Sequence, residues 1–297
     1  MVWYRIKGVS MEVIIRELND NYMKFIVSDT SPSFVNTLRR VLIADVPKMA
    51  IEDVEFHLGP IRDNTGKEFE SISPLFDEII AHRLGLIPIP TDLKLFKPRE
   101  ECDCKGEGCP TCTIMYTLNK KGPCTVYSGD LEPLGDSKFK ITEDLIPLVK
   151  LGENQALLIY ATAELGTCKK HAKWQPTAGV GYKYYPKLEI DDKLCDKSGA
   201  CIDICPKKIF AKKDKKIVIQ DNFEDCTLCN SCVEVCNPST KGKGQLKPAV
   251  KVEGDENKFI FKFETDGSLK ATDVFEYALK YLEDKFNDFR DEVSKLK

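Results

Sequence analysis

Seven of the thirteen cysteines in this 297-residue chain lie between Cys195 and Cys236. The second half of the stretch has the spacing C-x2-C-x2-C-x3-C, and its members are Cys226, Cys229, Cys232 and Cys236. This spacing is typical of thiolates that surround an iron–sulfur cluster. The first half repeats the frame with Cys195, Cys201 and Cys205, but Ser198 stands where the second cysteine is expected.

In folds of the bacterial ferredoxin type, each cluster takes three cysteines from one run and the last cysteine of the other run. This rule predicts one complete set, suited to a [4Fe-4S] cluster: Cys205, Cys226, Cys229 and Cys232. The incomplete set is Cys195, Cys201 and Cys236, with Ser198 in the fourth place. Because iron in such clusters favours soft sulfur, a serine oxygen is a poorer ligand. The incomplete set could hold a [3Fe-4S] cluster, use Ser198 as a ligand, or stay empty.

A smaller cysteine group flanks a glycine-rich loop and consists of Cys102, Cys104, Cys109 and Cys112. Four thiolates this close in sequence can close a tetrahedral Zn²⁺ site. Glycines between them let the backbone turn around an ion. The alternative is a surface loop with four reduced thiols and no metal.

The bulk composition excludes several classes of protein. The formal net charge is −3, so no global basic field would attract nucleic acid. We predict no membrane span, because no run of 18 apolar residues occurs. Metal-type cysteine spacing without a secretory leader predicts a reducing cytoplasm rather than a disulfide framework. No dinucleotide-binding glycine motif, catalytic triad or Mg²⁺ carboxylate motif occurs, so we expect no catalytic residues in this chain.

The first 90 residues alternate strands and short helices. Residues 11–18 and 22–27 read as two strands around an Asn-Asp-Asn turn. Ser31 and Pro32 then suit the cap and first position of a helix that carries the adjacent Arg39 and Arg40. A second Ser-Pro pair, at 73–74, predicts a helix that runs through Arg83 and stops near Gly85. Residues 114–165 predict several strands and little helix.

The chain closes with a predicted helix from about Ala271. Large apolar residues recur along it with steps of four and three: Phe275, Leu279, Leu282, Phe286, Phe289, Val293 and Leu296. A sustained 3.5-residue stripe seats one helix against another along its length. The stripe could pack on the domain itself, but seven large apolar groups favour a partner helix.

Several blocks together resemble RNA polymerase subunits of the bacterial alpha amino-terminal type, in the archaeal D and eukaryotic third-largest branch. The resemblance rests on residues 33–42, 51–56, 73–88 and 265–268. The cysteine loop at 102–112 is similar to the zinc loop of the eukaryotic subunit. The inserted ferredoxin-like stretch is similar to one found in some archaeal members. Ser198 departs from the two-cluster pattern.

The resemblance implies an α+β fold with three parts. A discontinuous dimerisation domain would comprise residues 1–50 and 246–297. A mostly-β insert domain with the zinc-type loop would span 51–190, and a ferredoxin-like [4Fe-4S] domain 191–245. Family members pair with a small subunit, L in archaea, and the pair is the platform for the two largest, catalytic subunits. The chain would then contact DNA only indirectly, through the assembled polymerase.

The resemblance also assigns contacts. Arg39 and Arg40 become candidates for contact with the second-largest subunit, and the final helix becomes the surface for subunit L. The preferred reading is a non-catalytic assembly subunit with a structural or regulatory cluster. The alternative is a ferredoxin-like electron-carrier subunit of an oxidoreductase complex, which explains residues 195–236 and leaves the rest without a role.

Overall fold

The computed structural model describes residues 3–5, 11–62, 66–214, 216–236 and 248–296, with backbone alone for 3–5. The strands are β1 Trp3–Arg5, β2 Glu12–Asn19, β3 Tyr22–Ser28, β4 Lys48–Phe56, β5 Ile61–Arg62, β6 Glu68–Phe69, β7 Thr113–Lys121, β8 Cys124–Tyr127, β9 Glu132–Pro133, β10 Pro147–Leu151, β11 Ala156–Gly166, β12 Thr177–Ile190, β13 Phe210–Lys213, β14 Lys216–Ile219 and β15 Val250–Thr265. The α-helices are α1 Pro32–Ala44, α2 Asp77–Gly85, α3 Ala200–Ile204, α4 Ser231–Val235 and α5 Ala271–Ser294. The predicted linker at 239–245 lies outside the described residues.

The chain divides into two units, which we call unit 1 and unit 2. Unit 1 comprises Met1–Arg16, Lys24–Asn36 and Gly181–Lys262. Unit 2 comprises Glu17–Met23, Thr37–Val180 and Phe263–Lys297. Both units contain strands and helices, so the chain is an α+β protein as predicted. The three-domain boundaries inferred from the resemblance stay a prediction.

Unit 1 contains most of a sheet with the strand order β1-β2-β3-β15-β12. Strands β2 and β3 flank the predicted turn at residues 19–21 and confirm that hairpin. Alternation in β15 buries one row of aromatic rings, because successive side chains of a strand point to opposite faces. Phe259 and Phe261 are fully buried, and Phe261 stacks on Phe25 with ring centroids 5.1 Å apart.

The cysteine-rich stretch of unit 1 forms a small body of its own. Strands β13 and β14 pair as an antiparallel hairpin between α3 and α4. Its core contains two cysteines together with aliphatic and aromatic residues: Cys201, Ile209, Phe210, Ile217, Cys232 and Val250. Val250 belongs to β15, so this body packs on the end of the sheet.

Unit 2 is built on a sheet with the order β4-β11-β7-β9, beside the pair β10-β8. These strands confirm the predicted strand-rich character of residues 114–165. Helix α2 covers the core through Ile80 and Leu84, both fully buried. The predicted helix start at Ser73 is wrong: Ser73 Oγ donates 2.6 Å to the Leu75 carbonyl in a turn, and extended Phe76 precedes the first helical residue.

The two longer helices begin where their sequences predict. In α1, the Phe34 N–H donates to Ser31 Oγ at 3.3 Å, as expected of an N-cap serine. In α5, the buried line is Ala271, Val274, Ala278 and Leu282.

Within the described part of the chain, no helix is long and apolar enough to cross a membrane.

Candidate functional site

The four cysteines of the 102–112 loop converge on one point in unit 2. Their Sγ atoms all lie within 4.8 Å of one another. The Sγ atoms of Cys102 and Cys109 are 3.4 Å apart, and Cys112 Sγ lies 3.6 Å from those of both Cys104 and Cys109. Four sulfurs at this separation suit a single tetrahedral ion, so the group could hold a metal. Zinc as the ion stays a prediction.

The loop prepares some of these thiols to lose their protons. Hydrogen bonds from the Cys104 backbone and then from the Thr111 hydroxyl lower the pKa of Cys102 to about 6. The Thr111 hydroxyl also lowers the pKa of Cys109, 3.0 Å away. Burial raises the pKa of Cys112 to about 12. A bound cation would reverse the last effect, because a metal ligand must be a thiolate.

An arginine that sequence reasoning missed fixes this loop on the sheet of unit 2. Arg99 Nε donates to the Gly106 carbonyl at 2.8 Å inside the loop. Its Nη1 lies 3.4 Å from carboxylates of Asp53 on β4 and of buried Glu164 on β11. Glu164 also pairs with Lys170 at 3.0 Å. These partners lie far apart in sequence, so no local spacing reveals them.

The predicted complete iron–sulfur set comes together in unit 1. Its four thiols line one small cavity beside Phe210 and Val252; they are Cys205, Cys226, Cys229 and Cys232. Burial, then the charges of its three neighbouring thiols, raises the pKa of Cys232 to about 11. The assignment of these four thiols to one cluster stays a prediction.

Hydrogen-bond donors surround the sulfurs of the complete set. The Ile209 N–H donates to Cys205 Sγ at 3.5 Å. Ser231, through its side chain and backbone, and the Thr227 side chain lower the pKa of Cys229. Donors to the thiolates are a recognised way in which a protein tunes such a cluster. The donor set therefore fits an iron–sulfur cluster.

The three thiols of the incomplete set also lie together. Burial, then the charge of Cys236 and its hydrogen bond, and the charge of Cys195, raise the pKa of Cys201 to about 12. The hydroxyl of exposed Ser198 donates to Asp196 Oδ1 at 2.8 Å. The assignment of the seven thiols to two iron–sulfur sets stays a prediction.

Side chains from the sheet hold the segment just before Cys226. Arg16 on β2 pairs with Glu224 at 2.6 Å. From β12, Lys183 Nζ donates to the Cys226 carbonyl at 3.1 Å, and Tyr185 Oη lies 3.3 Å from Glu224. Sequence reasoning missed all of these contacts. They connect a predicted cluster ligand directly to two strands of the sheet.

The apolar stripe of α5 is only partly buried within unit 2. Leu282 is 8% exposed and half-buried Phe275 stacks on Phe263. The rest of the stripe is exposed: Leu279 41%, Phe286 62%, Phe289 69%, Val293 41% and Leu296 85%. On α1, Arg39 is half-buried and Arg40 is exposed. The helix therefore offers an apolar face that unit 2 leaves uncovered.

An exposed apolar stripe on a helix is typical of a surface that another protein covers. The model of the RNA polymerase Rpb3/Rpb11 dimerisation domain matches residues 24–286. The chain therefore belongs to this family of RNA polymerase subunits.

Its relatives match almost the full length of the chain. The chain is 43% identical to the DNA-directed RNA polymerase subunit Rpo3 of Picrophilus torridus, over 94% of this chain and 98% of that one. It is 44% identical to the Rpo3 subunit of Thermoplasma volcanium, over 93% and 97%. For the Rpo3 subunit of Methanothermobacter thermautotrophicus the identity is 40%, over 93% and 96%.

Proposed function

We propose that this chain is a non-catalytic assembly subunit of a DNA-dependent RNA polymerase. In this role it pairs with a small subunit of the L type and carries the two largest subunits. The observation that carries the proposal is the uncovered apolar stripe of α5, with Phe286 and Phe289 more than three-fifths exposed. The family match and the names of the relatives support it.

The energetics of the stripe favour a permanent partner. Burying one phenylalanine side chain stabilises a complex by roughly 1.5–3 kcal/mol. Five exposed stripe residues on one helix therefore represent a strong drive to associate. Large and apolar contact surfaces are typical of obligate subunit interfaces. We assign the dimerisation domain to residues 1–50 and 246–297, which contain α1 and α5.

The two arginines of α1 are proposed as a second contact. Arg40 is exposed and Arg39 half-buried, and both follow the buried Leu38 within α1. Guanidinium groups bind carboxylates in a fork geometry and are enriched at subunit contacts. We assign them to the second-largest subunit.

The cysteine groups are proposed as structural metal centres. The complete set, Cys205, Cys226, Cys229 and Cys232, would hold one [4Fe-4S] cluster. The 102–112 group in the insert domain, 51–190, would hold Zn²⁺. A bound metal supplies cross-links between thiolates, and its binding free energy adds to folding stability. Because Arg16 and Lys183 connect the cluster domain, 191–245, to the sheet, a cluster that orders this domain would also stabilise the sheet.

The electron-carrier alternative gains no support. It accounts for residues 195–236 alone, whereas the family match spans 24–286. A carrier also needs no exposed stripe on α5.

The test is recovery of polymerase on a tagged full-length chain in which Phe286 and Phe289 are both replaced by glutamate. We expect about a hundredfold loss of the small subunit and of the two largest subunits, because two buried rings would be lost from the interface. The purified variant should keep its circular dichroism spectrum, since both rings are exposed.

The matched control is Ser294→Glu, which adds a charge at the exposed end of the same helix outside the stripe. It should recover polymerase normally. Full recovery with the double variant would contradict the proposal, and so would co-purification of the native chain with a dehydrogenase in place of polymerase subunits.

A further inference from the structure

The two cysteine runs fold into the same backbone path. Lys197 and Leu228 stand two residues after the first cysteine of each run, with φ of 58° and 56°. Gly199 and Asn230 stand two residues further on, with φ of 91° and 61°, and each precedes a short helix, α3 or α4. Non-glycine residues rarely adopt positive φ, so four matched positions indicate a true structural repeat.

The repeat places Ser198 in the position that Cys229 occupies in the other run. Each residue stands between two left-handed neighbours and each is exposed. Ser198 therefore occupies the same backbone position in the first run as Cys229 does in the second. The remaining question is which atom fills the fourth ligand position there.

Two residues that flank the fourth ligand position also differ between the two runs. In the complete set, hydroxyls of Thr227 and Ser231 stabilise the Cys229 thiolate. The equivalent positions in the first run are Asp196 and Ala200. Alanine has no donor, and aspartate brings a negative charge.

The hydrogen bonds of Ser198 run in the opposite direction from those of Cys229. Its hydroxyl and its backbone N–H both donate to Asp196 Oδ1, at 2.8 and 3.0 Å. A serine alkoxide beside this carboxylate would be repelled and would lack the two hydroxyl donors. This disfavours Ser198 as a ligand to iron.

Asp196 directly follows Cys195, one of the three thiols of the incomplete set. Burial raises the pKa of Cys236 most; a hydrogen bond with Cys201 lowers it, and the negative charges of Cys195 and Asp196 raise it further. A carboxylate is anionic at neutral pH and can bind a metal without first losing a proton.

We propose that Asp196 is the fourth protein ligand of the incomplete set, and that Ser198 positions its carboxylate by hydrogen bonding. The site then takes a four-iron cluster held by three thiolates and one carboxylate. This inference rests on the proposed iron–sulfur character of the region. Because oxygen is a harder ligand, the iron on Asp196 is the one that exchanges. Its departure as Fe²⁺ transfers no electron and leaves a three-iron core with two fewer positive charges.

The test uses the full chain, reconstituted anaerobically with iron and sulfide. A chelator removes the exchangeable iron, Fe²⁺ enriched in iron-57 is added, and Mössbauer spectroscopy reports only the added iron. The native chain should take up one labelled iron per molecule, in an oxygen-containing site. Asp196→Asn should take up none, and electron paramagnetic resonance after oxidation with ferricyanide should show the signal of its unlabelled three-iron core. Ser198→Ala should bind the label about tenfold more weakly, because the carboxylate loses its positioning bond.

Two further variants make the result decisive. Ser198→Cys supplies a fourth thiolate, so its fourth iron should resist the chelator. Asp192→Asn removes a nearby exposed carboxylate that pairs with Lys216 at 2.9 Å, and it should behave as the native chain does. Equal uptake by the native chain and Asp196→Asn, or iron in the complete set alone, would overturn the assignment of Asp196. A native chain that binds no iron in either set would instead overturn the iron–sulfur proposal itself.

Discussion

The two cysteine regions of this chain use one residue type to build two kinds of site. The 102–112 group draws four sulfurs from a single loop to within 4.8 Å of one another in unit 2. The 195–236 region in unit 1 gathers each of its sets from both halves of the stretch. Short ligand spacing thus suits a centre for one ion, whereas crossed spacing is the pattern expected for iron–sulfur clusters.

The same difference determines how much of the structure should be destabilised when one cysteine ligand is lost. The loop can close locally: it leads directly into β7, and Arg99 connects it to β11. The crossed sets require α3, α4 and the hairpin β13–β14 to pack first, and buried Cys201 and Cys232 belong to that core. Losing a ligand should therefore remain local in the first region and propagate in the second.

The largest expected effect is that of Cys232→Ser. The side chain is 7% exposed and packs in the small core of the cluster body. We expect loss of iron from the complete set and a fall in the free energy of unfolding of about 4 kcal/mol, because packing and metal are lost together. The iron content is measured by iron analysis, and the loss of stability by thermal unfolding and by limited proteolysis between residues 191 and 236. Cys124→Ser, outside both regions, is the control and should leave the iron content unchanged.

Cys112→Ser should have a smaller and more local effect. The side chain is fully buried in its loop, so we expect loss of the bound ion and about 2–3 kcal/mol of stability. The iron content of the other region should not change. Zinc analysis and thermal unfolding are the measurements. A parallel loss of iron would break the proposed independence of the two regions.

Glu224→Gln tests the connection between the cluster body and the sheet. It removes the charge that pairs with Arg16 and lies near Tyr185 Oη. We expect about 1 kcal/mol of destabilisation and faster loss of iron to a chelator, because the segment before Cys226 is less firmly held. Glu253→Gln removes an exposed partner of Lys251 and serves as the control. Identical iron-loss rates in both variants would show that the connection has no role.

The smallest expected effect is a pH-dependent one at an ordinary ion pair of unit 1. Burial raises the pKa of Asp255, but the Asn257 N–H and Lys187, 3.1 Å away, outweigh it and lower the pKa below its usual value. The pair therefore stabilises the fold above about pH 4 and loses this contribution as pH falls through the lowered pKa. Asp255→Asn should cost less than about 1 kcal/mol at pH 7, and the cost should be smaller at pH 2. Denaturant unfolding at the two pH values measures it, and an equal cost at both would contradict the assignment.

Sequence patterns anticipated elements whose cause is local. The cap at Ser31, the start of α5 near Ala271 and the aromatic row of β15 follow from residues a few positions apart. The start of α2 was mispredicted from the Ser73-Pro74 pair, because the Ser73 hydroxyl bonds a neighbouring carbonyl in a turn instead of capping the helix. Short polar side chains serve both purposes, and only the surrounding packing selects one.

The sequence by itself determined the spacing of the cysteines within each run, because that spacing is a covalent property of the chain. It also determined the apolar stripe of α5. Only the tertiary structure decided which part of that stripe stays uncovered, since burial depends on what packs against the helix. The contacts of Arg99 with Glu164 and of Arg16 with Glu224 join residues far apart in sequence. Such contacts exist only once the sheets have formed, so no local pattern encodes them.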